Sequence, residues 1–274
     1  MLKIFENNIK SQFGEDGVIS EIFKRLGTKN KICVEFGAWD GEHFSNTWNL
    51  WNNQEWSAYL IEGDKGKIGD LIKNTKQFPK VFPINRYIVP EGIDSLDSIL
   101  GEYPSIPRNF DLLSIDIDSD DYQIFKALNN YRPRLIIIEY NPTIPPHLDV
   151  VQVEKEYFGS SALAIDRLAS EKGYSLVHMT DTNMFFIEKK ELDTMNIKEV
   201  KMEEIFPKQH LTYVITSYDG RTLLSQVPVY HSLKAEGSIT KFLRKFGFKN
   251  NKFKHIEYQS KTQLKQISVV EIKK

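Results

Sequence analysis

The chain has 274 residues, 41% hydrophobic and 27% charged, enough for one large globular domain with an appendage or for two small ones. Its 36 basic and 37 acidic residues leave a net charge of −1, which gives no global attraction to nucleic acid or to an acidic surface. The one cysteine, Cys33, excludes an internal disulfide, no stretch reaches the roughly 20 apolar residues of a membrane helix, and the start MLKIFENNIK lacks a signal-peptide core, so a cytoplasmic, soluble protein is expected.

In chain order, residues 11–26, SQFGEDGVISEIFKRL, set Val18, Ile19, Ile22, Phe23 and Leu26 at helical spacing and predict an amphipathic helix. Its polar start, Ser11 to Asp16, is a helix entry or a ligand loop. Strands are predicted at 31–36, 57–62 (SAYLIE), 81–85, 110–117 (FDLLSIDI) and 134–139 (RLIIIE), with helical patterns at 93–100 and 120–130. Cys33 is expected to pack inside the first of these strands. Continuous runs such as Leu135-Ile136-Ile137-Ile138 belong to strands covered on both faces, so a central parallel sheet flanked by helices follows. Residues 159–172 predict a helix ended by Gly173, and YSLVHMTDTNMFFIEKK predicts a hairpin turning at Asp181-Thr182-Asn183.

Beyond residue 190 the pattern changes, and the expected division is a domain over 1–190 with a C-terminal extension over 191–274. LTYVITSYDGRTLLSQVPVY predicts two extended pieces around a turn at Asp219-Gly220. From Lys241 to the end there are 10 basic and 2 acidic residues, with Phe242, Leu243, Phe246 and Phe248 at positions that suit a short amphipathic helix. Solvated surface, contact with a polyanionic acceptor, and peripheral docking on an anionic membrane surface are the readings open to it.

Ligands on such sheets gather at the carboxyl ends of the strands, so the residues that follow each apolar run carry the chemistry. After the first strand, Glu35, Gly37, Asp40 and Gly41 form a glycine turn bracketed by acids. This is not the GxGxxG loop that cradles a pyrophosphate, and carboxylates suit a cation or hydroxyl donors better than phosphate. Glu62 ends the second strand, 27 positions after Glu35, where an acid accepts both hydroxyls of a ribose. A ribose and a cation without a pyrophosphate cradle describe S-adenosylmethionine better than a nicotinamide dinucleotide.

A second constellation ends strands four and five. Strand alternation turns Asp116 and Asp118 the same way, and likewise Glu139 and Asn141. Carboxylates so placed need a cation, a donor or a shared proton, which leaves an oxygen-ligated magnesium or manganese ion, or a general base, as alternatives. Asp118 to Asp121 also suit the cap of a helix beginning near Tyr122. Asp116 and His147, the latter in the proline-stiffened loop NPTIPPHLD, are the candidate bases, whereas His178, amid Leu176, Val177 and Met179, is expected to be a packed strand residue. Trp39, Trp48, Trp51 and Trp56 are expected mainly in core and helix packing.

The series SQFGEDGVI, VEFGAWDG followed by SNTWNL, LIEGD, LLSIDIDSDDY, IIIEYNP, FGSSALAIDRLASEKGYSLV and TNMFFIEKK, over about residues 11–190, resembles the FkbM-like group of class I S-adenosylmethionine-dependent methyltransferases. The resemblance implies an α/β, Rossmann-like, seven-stranded, mostly parallel sheet with an antiparallel last strand and helices on both faces. It assigns Glu35, Gly37, Asp40, Gly41 and Glu62 to the cofactor, and places Asp116 where related enzymes contact cofactor or metal. Two departures are that Asp118-Ser119-Asp120 stands where aspartate, glycine and asparagine are expected, and that the region after 190 has no counterpart. The implied activity is methyl transfer to oxygen of a small polar acceptor, foremost a sugar or phosphorylated sugar of surface polysaccharide biosynthesis, without nucleic acid. A phosphoryl or phosphoramidate oxygen of a capsule precursor is the alternative acceptor. A nicotinamide-dependent oxidoreductase and a non-catalytic nucleotide-binding protein are the alternatives of another class.

Overall fold

The computed structural model describes residues 2–195, 199–211, 213–216, 218, 222–224 and 270–272. After a short 3-10 turn at Leu2–Phe5, α1 (Glu15–Leu26) leads into β1 (Ile32–Phe36), then α2 (Trp48–Asn53), β2 (Ser57–Glu62), α3 (Lys67–Thr75), β3 (Val81–Asn85) and α4 (Leu96–Gly101). The second half runs β4 (Leu112–Ile115), α5 (Asp121–Ala127), β5 (Leu135–Glu139), β6 (Val150–Gln152), α6 (Ala162–Glu171), β7 (Tyr174–Met179) and β8 (Asn183–Glu188). Seven strands form one sheet in the order β3-β2-β1-β4-β5-β8-β7. All neighbours up to β5 pair in parallel, and β8 runs antiparallel to both β5 and β7. The chain leaves β1 toward one sheet edge and β4 toward the other, so the crevice between their carboxyl ends is where such a sheet receives a ligand. The sheet is Rossmann-like, as expected.

Each strand feeds two cores because its residues alternate faces. Val34, Phe36, Ile61, Leu113, Ile115, Ile136 and Ile138 face the layer of α4, α5 and α6. Cys33, Ala58, Leu60, Leu112, Leu135 and Ile137 face the layer of α1, α2 and α3. Cys33 is free and buried in the second core, as expected. Below the amino ends of the strands, buried Arg134 pairs with Asp111 at 2.8 Å and Glu191 at 3.2 Å and donates to the carbonyls of Leu26 and Gly27. Asp111 in turn accepts the main-chain N–H groups of Lys29, Asn30 and Lys31, which fastens the turn before β1 to β4.

Element existence matches the sequence expectation more closely than element length. β4 stops at Ile115, because the chain turns at Asp116 to meet the exit of β1. α5 ends at Ala127, where Leu128 takes an extended conformation. α2, α3 and β6 were not anticipated: α2 is six residues long, α3 contains Gly69, and β6 has three residues. The polar stretch before α1 serves as a helix entry, where the Asp16 carboxylate accepts from the N–H groups of Ile9, Lys10 and Ser11 and from the Ser11 hydroxyl, and its Gln12 also lines the cleft at the strand ends.

After β8 the chain continues as α7 (Lys189–Met195) and α8 (Met202–Ile205), with Met202 and Phe206 buried in the core on the α4–α6 side. The extended pieces are present as β9 (Val214–Thr216) and β10 (Thr222–Leu224), paired antiparallel, while their turn at Asp219-Gly220 lies outside the described residues. β11 (Val270–Ile272) pairs antiparallel with β6. The predicted helix around Phe242, Leu243, Phe246 and Phe248 also lies outside the described residues. Among those described, no helix is long and apolar enough to cross a membrane.

Candidate functional site

A cleft of about 720 Å³ opens at the carboxyl ends of the central strands. At its floor Gly37 turns with φ +77°, and a Cβ built there would lie 1.6 Å from the Asp116 carbonyl oxygen. Only glycine lets the exits of β1 and β4 close on each other at that point. Glu35, one residue pair earlier, is buried and accepts from the Ser45 hydroxyl at 2.7 Å, the Thr47 hydroxyl at 2.6 Å and the Asn46 N–H at 2.8 Å. Burial pushes its pKa up, and those three donors pull it back. Glu35 thus folds the Ser45–Thr47 loop down beside the cleft it lines.

Glu62 lines the same cleft from the end of β2 and accepts the N–H of Trp39 at 2.8 Å and of Asp64 at 2.7 Å. It fixes the loop after β1 against the loop after β2. Asp40 and Gly41 do not line the cleft. The Asp40 carboxylate accepts the N–H groups of Glu42 and His43, and Gly41, at φ +82°, faces Leu71 of α3. The structure therefore brings Glu35, Gly37 and Glu62 to the cleft and leaves Asp40 and Gly41 as the frame of the loop behind it.

Across the floor, Asp116, Asp118 and Glu139 present carboxylate oxygens that all lie within 4.8 Å of one another. Burial holds Asp116 well above the usual carboxylate range, and the charges of Asp121, Asp118 and Glu35 add to it. Glu139 is raised likewise, by burial first and then by Asp116 and its neighbours. Two carboxylates so close repel each other when both are ionised. A shared proton is thus the relief that these acids find among themselves. Three oxygen donors of this kind could equally hold a magnesium or manganese ion.

Asn141 does not line the cleft. Its carbonyl oxygen accepts from the N–H and hydroxyl of Thr143, and its amide donates to the Phe158 carbonyl at 2.6 Å, so it shapes the loop after β5. His147 is exposed in that loop and does not line the cleft. The expected capping by Asp120 is also corrected: it precedes α5 but makes no side-chain cap bond, and its carboxylate instead accepts the Lys155 N–H at 2.8 Å. Asp121 accepts the N–H groups of Ile117 and Ser119, and burial lifts its pKa to about 6. His178 is buried, as expected, 3.0 Å from a Glu6 carboxylate oxygen, and burial lowers its pKa to about 4.

The cleft has lining residues that spacing did not reveal. Trp51 and Trp56 are buried and Trp48 partly so, but Trp39 is 41% exposed on the rim, under the Lys67 ammonium at 4.8 Å. His43 packs between Trp39 and Phe44, with ring centroids 5.0 and 4.7 Å away. Arg86 and Tyr87 enter from the exit of β3, where the rule that ligands gather at strand ends could have found them. Tyr157 has no such signal, because it follows β6, a strand of three residues.

No protein-family model matches the chain, and no curated protein matches it. Among solved structures it is similar to the N-terminal domain of EvdMO1 with SAH bound, at 13% identity over 63% of this chain and 79% of that one, TM-score 0.42. It is also similar to a SAM dependent methyltransferase from Aquifex aeolicus, at 11% identity over 68% and 94% of the two chains, TM-score 0.39. A third is M. capricolum TrmK in complex with S-adenosyl-homocysteine, at 16% identity over 70% and 75%, TM-score 0.38. At these identities and scores the likeness decides neither the reaction nor the substrate of this chain.

Proposed function

We propose that this chain is an S-adenosylmethionine-dependent methyltransferase of the FkbM-like group. In this reading it methylates an oxygen of a small polar acceptor, a sugar or activated sugar of surface polysaccharide biosynthesis, in the cytoplasm. One observation carries the reading: a single cleft holds Glu62 at the end of β2 and, on its other half, Asp116 and Glu139 at the ends of β4 and β5. The cofactor fits this cleft. Its size lies within the usual range of small-molecule sites, Glu62 stands where ribose hydroxyls are accepted, and Gly37 brings bare backbone to the floor. Gly37 and Glu62 hold the cofactor, and Glu35, Asp40 and Gly41 hold the loops that shape its site.

When bound, the cofactor supplies an electrophilic methyl group on a sulfonium. The protein's task is alignment, which the rigid strand exits provide by fixing the acceptor oxygen against that methyl in a closed geometry. Asp116 accepts the proton of the acceptor hydroxyl, with the Glu139 carboxyl beside it in the same cluster. His147 does not line the cleft, so Asp116 is the base in this reading. A magnesium or manganese ion would be held by Asp116, Asp118 and Glu139, without Asn141. Residues 1–190 form the catalytic unit and 191–274 an extension whose first segment is packed onto it.

Calorimetric titration with S-adenosylhomocysteine tests the reading on wild type and Glu62→Gln. Saturable binding that weakens at least tenfold in the variant, about 1.4 kcal/mol, is expected. A folded wild-type protein that binds none, with or without magnesium, overturns it.

A further inference from the structure

The charges that line the cleft are divided between its halves. Among the described residues its lysine and arginine side chains, Lys67 at the start of α3 and Arg86 after β3, both belong to the β2–β3 half. Lys67 rests on the Trp39 ring, and Arg86 is held by Asp94 at 2.6 Å and Glu102 at 3.0 Å. The β4–β5 half contains Asp116, Asp118 and Glu139, and among the described residues no lysine or arginine lines it. An anionic group placed among these acids meets repulsion that no described residue on that half offsets, whereas hydroxyl donors meet acceptors.

The same cleft has aromatic rings with open faces. Tyr157 is 79% exposed and Phe44 51% exposed, and both line it. Tyr157 is held over the cleft by its loop. The Gln152 side chain accepts the N–H groups of Phe158, at 2.7 Å, and Gly159, while Asp120 accepts the N–H of Lys155. Open aromatic faces beside acceptor-only carboxylates suit a ring with an apolar C–H face and hydroxyls on its edge.

We infer that the β4–β5 half takes a polyhydroxylated ring that carries no phosphate or other anionic group beside the oxygen to be methylated. The inference rests on the methyltransferase reading and narrows it: of the acceptors that reading allows, neutral sugars are selected and phosphoryl or sugar-phosphate oxygens are excluded. In an activated sugar the phosphates lie away from this half. Asp118, exposed and on the cleft, sets much of the exclusion.

Saturation-transfer NMR on protein saturated with S-adenosylhomocysteine tests this, with a panel of methyl hexopyranosides and the corresponding 6-phosphates, in EDTA and in magnesium. The uncharged glycosides are expected to bind through their ring protons, less well in Tyr157→Ala. The phosphates are expected to bind about tenfold or more weakly, with part of that difference lost in Asp118→Asn. Phosphates that bind as well as the glycosides in either buffer, or no binding by either class, overturn the inference. The methyltransferase reading fails separately, when S-adenosylhomocysteine itself does not bind.

Discussion

Gly37 and Asp116 meet backbone to backbone, with room for nothing larger than a hydrogen between the Gly37 Cα and the Asp116 carbonyl. The contact joins the exits of β1 and β4, so the cleft floor and the fold share one point of closure. Gly37→Ala combines a left-handed residue, about 1–2 kcal/mol, with a clash against backbone that cannot rotate away. A loss of at least about 2 kcal/mol in urea unfolding is expected, together with loss of S-adenosylhomocysteine binding. A variant as stable as wild type would show that the two exits separate freely.

Arg134 is 2% exposed and satisfies Asp111, Glu191 and two carbonyls at once. Removing one partner of a buried pair leaves a charge uncompensated, at about 3–5 kcal/mol. Arg134→Met should fall at the lower end, because Asp111 keeps its three main-chain donors. Urea unfolding measures it, and a loss below about 1 kcal/mol would mean that the network adds little beyond packing.

The acids of the cleft make stability depend on pH. Asp116 and Glu139 are raised well above the usual range and Asp121 to about 6. A carboxyl raised on folding stabilises fully below its unfolded pKa, and that contribution is lost as pH rises through the folded value. The ligand-free protein in EDTA should therefore lose stability from about pH 4 upward, through 6 and beyond. Glu139→Gln removes one acid from the cluster and should flatten the decline, so that the variant is the more stable of the two at pH 8. Unfolding midpoints from pH 4 to 8 decide it, and parallel curves would refute the coupling.

His178 works in the opposite sense. Its pKa is lowered to about 4 by burial and by the Lys3 charge, so the neutral ring is favoured. That contribution is present above the unfolded value, near 6.5, and is lost as pH falls through about 4. Ring-nitrogen NMR should find His178 neutral at pH 6. A protonated ring at that pH would show that the Glu6 carboxylate outweighs burial.

What the sequence made legible was whatever an apolar run announces: β1, β2, β4 and β5, and the acids at their ends. Glu62, Asp116 and Glu139, which line the cleft, stood out because the carboxyl end of a buried strand is a place where an acid needs a reason. Asp40, Gly41 and Asn141 belong to the right loops, but spacing does not say on which side of a turn a carboxylate finds its N–H partners. Trp39 differs from Trp51 and Trp56 by a backbone at φ +47°, which no composition rule reports. His147 shows the same limit, since a loop that follows a functional strand need not fold back over it.

β8 lies between β5 and β7, although it is the last of the seven strands to be synthesised. Until residues 183–188 have left the ribosome, β5 has an open flank and β7 has no neighbour in the sheet. A nascent chain paused just short of that point holds two unsatisfied strand edges, the kind of surface that recruits other strands or a chaperone. The final hairpin strand is thus the latch of the whole sheet, and a chain ended before Asn183 would keep six of the seven strands yet leave β5 and β7 without the partner that joins them.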